Sequence, residues 1–308
     1  SIGLTGGVIS AAQTADRLNH AAANSSNPRM KAMAAAAAAK AAKDALTNPT
    51  PSISLSLGSS ESNSNSTTQI TTARGSTLTG EGTVSITATG AGKDSDITIQ
   101  GSRVTGGQST VLQSEGKVNL LASQNTLSQT NQQNTHSASI GTTVGSNTGV
   151  TLSANAGSGN GNGQDISYNN TRVEGNTVSI KSGSDTNLKG AVVAANTVKA
   201  DVGGDLNIQS LQDSSTFKQD SQNVGGSVTF SPTGVPTGGS INVGKSHIHS
   251  NYLSVQEQSG LRAGDGGFQV DVQGNTDLKG GAIISTQAAV DQNKNTFSTG
   301  GTLTTSDI

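Results

Sequence analysis

The chain has 308 residues, a net charge of -2 at pH 7, 31% hydrophobic and 2% aromatic content, 40 glycines, no tryptophan and no cysteine. So little aromatic material excludes a thick globular core, scattered near-neutral charge excludes a basic stripe and with it a nucleic-acid partner, and a chain without cysteine can cross a narrow pore unfolded and fold afterwards, as a disulfide-stapled one cannot. A charged fraction of only 12% also sets the chain apart from disordered sequences.

Residues 1–49 form one compositional block. Ser1 to Ser10 has neither the basic start nor the sustained apolar run of a signal peptide, and the chain reads as a piece of something longer. A short helix is expected around Ala11 to Ala23. A second is expected after Pro28, through the alanine run Ala34 to Ala39, until Asn48-Pro49 ends it. Alanine anchors weakly in lipid and no strongly apolar face is present, so this block reads as a helical cap or linker. No apolar stretch approaches the roughly 18 residues of a membrane-spanning helix.

From residue 50 to 308 the pattern changes to short strand units, two apolar β-formers separated by one polar residue and bounded by Gly, Asn or Asp. Val84 and Ile86, Ile97 and Ile99, Val118 and Leu120, Val178 and Ile180, Leu206 and Ile208, and Val270 and Val272 all sit in this setting. Val178, Leu188, Val198 and Ile208 fall ten positions apart, so one strand and one turn occupy about ten residues. Asp185 to Val193 returns almost unchanged as Asn275 to Ile284. Fixed-period self-similarity of this kind predicts an all-β, parallel, right-handed β-helix or β-solenoid, with Val178, Ile180, Leu188, Val198, Leu206 and Ile208 pointing inward. One repeat of roughly 20 residues cannot offset its own backbone entropy, so only the stacked array is stable.

Three polar excursions interrupt the units, over Leu57 to Gln69, Gln124 to Asp165 and Thr216 to Asn251. The second contains strand candidates Ser139 to Val144 and Gly149 to Ala154, with a flexible tip expected at Gly157 to Gly163. The third contains Gly226 to Phe230 and Ser240 to Val243, flanking Pro232 and Pro236. These read as projecting β-hairpins, and long structured insertions on a scaffold are where function concentrates.

Gly239 to Ser246 fits the phosphate-loop expression G-x-x-x-x-G-K-S, but the chemistry needs a strand before it and a helix after it. Here the segment alternates like a strand, so no nucleotide is expected. His247 and His249 share a strand face, but His20 and His136 are remote and no cysteine is available to complete a metal site. Asp265-Gly266-Gly267 and Asn160-Gly161-Asn162-Gly163 lack the nonapeptide calcium repeat. A polysaccharide lyase or hydrolase needs acid and base groups and usually aromatic platforms. Tyr168 and Tyr252 are the only tyrosines, and Asp185, Asp205 and Asp277 recur as turn residues. No catalytic residue, cofactor site or metal site is therefore expected.

Val202 to Asp213, Glu257 to Phe268 and Gly274 to Gly280 resemble the second haemagglutinin-repeat region of filamentous-haemagglutinin-like exoproteins, of the kind found in contact-dependent growth inhibition effectors. The resemblance covers Ile53 to Ile308. It implies export by two-partner secretion through an outer-membrane transporter, display at the bacterial surface, and association with a target cell's outer membrane during delivery of a C-terminal toxin. The hairpin strands alternate polar and small apolar residues as transmembrane β-strands do, without the aromatic girdles of such barrels. A rigid adhesin stalk that spaces other domains explains the repeats equally well.

Overall fold

The computed structural model describes residues 2–5, 52–144 and 148–308, and the expected helices of the first block lie outside them. Within that block, residues 2–5 form a strand that the alanine-rich reading did not anticipate. In chain order the strands are β1 (Ile2–Thr5), β2 (Ser52–Thr71), β3 (Thr77–Gly80), β4 (Thr83–Ala88), β5 (Ile97–Gln100), β6 (Arg103–Ser114) and β7 (Val118–Leu121). They continue with β8 (Ser123–Val144), β9 (Gly149–Asn169), β10 (Thr171–Ser182), β11 (Thr186–Lys189), β12 (Ala191–Val202), β13 (Leu206–Gln209) and β14 (Asp213–Phe230). The last are β15 (Pro236–Ser254), β16 (Gly260–Val272), β17 (Thr276–Lys279), β18 (Ala282–Ile284), β19 (Thr296–Thr299) and β20 (Leu303–Ser306). A five-residue helix, α1 (Gln287–Asp291), is capped by the Thr286 hydroxyl. Among the described residues the fold is otherwise nearly all β, and no helix is long and apolar enough to cross a membrane.

Two sheets are parallel. One runs β18-β16-β12-β10-β6-β3, with β4 also on β6 and β19 also on β16; the other runs β20-β17-β13-β11-β7-β5. The chain alternates between them, which accounts for the ten-residue beat. Val178 of β10 pairs in register with Val198 of β12, and Leu188 of β11 with Ile208 of β13. Each sheet therefore recurs every twenty residues and each half-repeat every ten. Val178, Leu188, Val198 and Leu206 are 0% exposed, and Ile180 and Ile208 are 1% exposed, so all six expected inward residues are core. Valine and isoleucine suit these strands because their branched side chains fit a pleated, covered surface.

Hairpins are inserted between repeats, and parallel pairing resumes across them. β10 pairs with β6, Val173 opposite Val104, although β8 and β9 intervene; β12 pairs with β16, Val193 opposite Leu261, across β14 and β15; each of these two pairings carries one register shift, after Gly175 and after Ala195. Within the near-repeated stretch, strands β11 and β17 close at Lys189-Gly190 and Lys279-Gly280, where Gly190 and Gly280 take φ of +63° and +57°. A β-carbon is disfavoured in that left-handed corner, which accounts for glycine there.

The recurring Asp and Asn residues at the other corner bond the next repeat. Asp185 Oδ1 accepts from the Asp205 N–H at 3.1 Å, Asp205 Oδ1 from the Asn275 N–H at 2.7 Å, and Asn275 Oδ1 from the Thr302 N–H at 2.9 Å. A parallel ladder of amides links Asn119, Asn187 and Asn207 at 2.8 and 2.9 Å. The Asp205 N–H and the Lys117 ammonium, 2.9 Å away, hold the Asp185 carboxyl below the ordinary carboxylate range, and hydrogen bonding to Asp185 raises the pKa of Lys117.

The sign of the pH effect follows from these shifts. A depressed carboxyl pKa contributes stability that is complete above its unfolded value and is lost as pH falls through the folded one; a raised lysine pKa contributes stability below its unfolded value, lost as pH climbs through the folded one. Asp185→Ala, which removes both acceptors, is expected to lower stability by about 1–2 kcal/mol. The advantage of the native chain over Asp185→Asn should hold from about pH 5 to 9 and shrink below about pH 4. Melting midpoints across pH check this; an advantage that persists at pH 2 refutes it.

Candidate functional site

The described residues divide into two compact units, one from Ser1–Ser66, Asn131–Gly161 and Gln219–Ile248, the other from Thr67–Thr130, Asn162–Lys218 and His249–Ile308. The first holds segments of the remaining sheet, ordered β1-β2-β8-β9-β14-β15. β1 pairs antiparallel with β2, Leu4 opposite Ile53. The excursions expected from the sequence thus supply β2, the β8–β9 hairpin and the β14–β15 hairpin, the last closing through a turn in which the Ser231 N–H donates to Val235 O at 2.8 Å.

Strand alternation sorts the side chains of this unit into two unlike faces. One face carries hydroxyls that bond across strands. Ser139 and Ser153 meet at 2.6 Å, Thr151 and Thr229 at 2.9 Å, and Ser227 and Ser240 at 2.8 Å. The other face is aliphatic and uncovered. Leu57, Ile140, Leu152, Val228 and Ile241 line a shallow groove of about 580 Å³, with Ala138 and Ala154 between them. Leu57 is 77% and Ile241 86% exposed, and Val144, Val150, Val224 and Val243 extend the exposed apolar surface along the same strands.

Further along those strands the aliphatic face turns polar. A second cavity of about 500 Å³ is lined by Gln132, Asn134, Ser158, Asn160, Asp220, Gln222 and Lys245. Beside it His247 Nδ1 hydrogen-bonds the Asp220 carboxylate. That face therefore has an aliphatic zone near the hairpin turns and a zone of amides and ionisable groups beyond it.

The structure places the tempting motifs plainly. Gly239 to Ser246 lies wholly inside β15, exposed and followed by more strand, so the loop and helix of a phosphate site are lacking there. His247 engages Asp220, and among the described residues no three metal-ligating side chains cluster. Gly157 to Gly163, expected as a flexible tip, is strand within β9. A β-carbon on Gly157 would stand 2.8 Å from Thr135 Oγ1, so glycine serves close strand approach there rather than a bend.

Comparison with known proteins then fixes the family. The family model described as hemagglutinin repeat matches residues 57–225, and the chain belongs to that family. It is 37% identical over 245 residues to the "tRNA nuclease CdiA" of Yersinia mollaretii, covering 76% of this chain and 8% of that protein. It is 39% identical over 245 residues to the "16S rRNA endonuclease CdiA" of Enterobacter cloacae subsp. cloacae, covering 77% and 7%. It is 35% identical over 243 residues to the "Deoxyribonuclease CdiA" of Yersinia pseudotuberculosis serotype O:3, covering 77% and 22%. The chain thus spans less than a quarter of each of these relatives. No solved structure matches it.

Proposed function

We propose that the chain is the non-enzymatic repeat region of a two-partner-secreted bacterial surface exoprotein, and that it engages a target cell's outer membrane to help deliver a C-terminal toxin in contact-dependent growth inhibition. Its partners are then the secretion transporter of the producing cell and the target outer membrane, with no nucleotide or nucleic acid. Residues 50–308 are the working repeat region, its parallel sheets wound as a β-solenoid, and 1–49 its cap or linker. The relatives support the non-enzymatic reading: three proteins named for cleaving tRNA, 16S rRNA and DNA share this same stretch at 35–39% identity. A segment common to three substrates is not what selects among them.

The uncovered aliphatic zone carries membrane engagement. From His136 to Val144 a strand rises about 27 Å at ~3.4 Å per residue, close to the ~25 Å apolar band of outer-membrane barrels. Within that zone the aliphatic face carries a carboxylate only at its polar edge, at Glu61, two alternations along β2 from Leu57, and the hydroxyls opposite satisfy one another, so lipid contact on that face strands few polar groups. The stalk reading draws on different observations, the twenty-residue register and the corner Asp/Asn bonds, which make a stiff spacer.

Flotation with outer-membrane vesicles separates the two. The chain should rise with the vesicles, and Ile140→Asp/Leu152→Asp should stay at the bottom, because two charges in hydrocarbon cost about 2–3 kcal/mol each and lower partitioning by about 10³–10⁴-fold. Native chain that remains at the bottom of the gradient leaves the stalk in front.

A further inference from the structure

The second unit contains a polar cavity of about 360 Å³ that the membrane reading does not use. It sits where β3, β6 and β10 begin, with Gly75 and Gly101 among its lining residues. Its walls are held in place by bonds to the fold. Arg172 Nη2 grips both Glu257 oxygens at 2.7 Å, its Nη1 donates to Glu174 at 3.3 Å, and the other Glu174 oxygen accepts from Arg103 at 3.1 Å. The Asn170 amide donates to Glu257 O at 3.2 Å, and Asp213 accepts from both the Tyr168 N–H and the Gln256 amide.

Two groups at this cavity retain unused hydrogen-bonding capacity. Arg103 spends one N–H on Glu174 while its side chain stays 51% exposed. The Tyr168 hydroxyl has no partner among the described residues, and Tyr168 is one of only two tyrosines in the chain. Each guanidinium is already paired to a carboxylate, Arg103 to Glu174 and Arg172 to Glu257, so neither is left as a bare cation for an anion to seek. A ligand whose groups donate and accept at once gains at every wall. The aromatic ring offers an apolar platform beside those fixed polar forks.

The geometry points to a binding site for a neutral oligosaccharide, with Arg103, Tyr168 and the Arg172–Glu257 pair as its contacts. Sugar hydroxyls accept from Arg103, donate to Glu257 and bridge to Tyr168, while a pyranose face lies against the ring. Both Glu257 oxygens are engaged by Arg172 and both Glu174 oxygens by arginines, so the carboxylates are committed to holding the walls, and the site binds without cutting.

Saturation-transfer NMR on the full chain tests this with maltohexaose, chitohexaose and mannohexaose at millimolar concentration. At least one should show transfer and lose affinity about tenfold in both Tyr168→Ala and Arg103→Ala, with unchanged melting midpoints. Arg103→Lys, which keeps the charge and discards the planar fork, should lose affinity as well. Three silent probes, binding that survives both alanine substitutions, or displacement of the bound probe by inorganic phosphate would each overturn the assignment. Ile140→Asp/Leu152→Asp leaves this cavity untouched and Tyr168→Ala leaves the aliphatic zone untouched, so the paired variants let the two proposals stand or fall separately.

Discussion

Ile208→Asp is expected to unfold the parallel sheets, with a loss of at least about 4–5 kcal/mol and a melting midpoint lowered by roughly 10–20 °C. Ile208 is 1% exposed and stands in register between Leu188 and Leu278, inside a core that also holds Val198 and Leu206. A carboxylate there has no partner in an aliphatic column, so it must either lose its charge or open the repeat around it. Because each repeat relies on its neighbours for ladder bonds and core, the damage spreads beyond one turn. Ile241→Asp provides the control. The same chemistry at a side chain 86% exposed should move stability by no more than about 0.5 kcal/mol. An Ile208→Asp chain that melts with the native one would remove the inward assignment.

The contrast between these two isoleucines marks what the sequence discloses and what it withholds. Both sit in alternating strands, and alternation says only that one face is apolar. It was enough to place Val178, Leu188, Val198 and Ile208 in one core, two on each parallel sheet, because their ten-residue spacing adds a second constraint that only stacking satisfies. Nothing comparable governs Leu57, Ile140, Leu152, Val228 and Ile241, whose surroundings depend on what covers them, and among the described residues nothing does.

The corner Asp and Asn residues were legible as turn formers. Their bond to the following repeat was not, since it joins Asp205 to Asn275 across seventy positions. Thr171, Thr186 and Thr276 are buried although they read as polar. Thr171 donates to Leu121 O at 2.6 Å, a partner fifty residues away that no local pattern reveals. The glycines of 157–163 misled for a related reason. Glycine serves both flexible loops and tight strand contacts, and only the facing strand decides which.

Excising Gln124 to Asp165 from a full-length effector is expected to preserve secretion and attachment while abolishing toxin entry into target cells. The deletion removes most of β8 and β9, which lie between β2 and β14 in the hairpin sheet, and with them Ile140 and Leu152 of the aliphatic zone. It spares the parallel sheets. Asn169 Nδ2 donates to Asn125 Oδ1 at 3.4 Å, so the two stems of the hairpin lie side by side at its base. β6 and β10 already pair in register across the insertion through Arg103 and Arg172, and that pairing does not need the hairpin. Competition co-culture with susceptible cells, with surface display followed by antibody, reads the outcome. Loss of killing together with loss of display would report a folding defect, and the point variant Ile140→Asp/Leu152→Asp, whose side chains are exposed, then decides. Full toxin delivery by a displayed deletion would show that the hairpin is dispensable, and the repeat region would then act as a spacer.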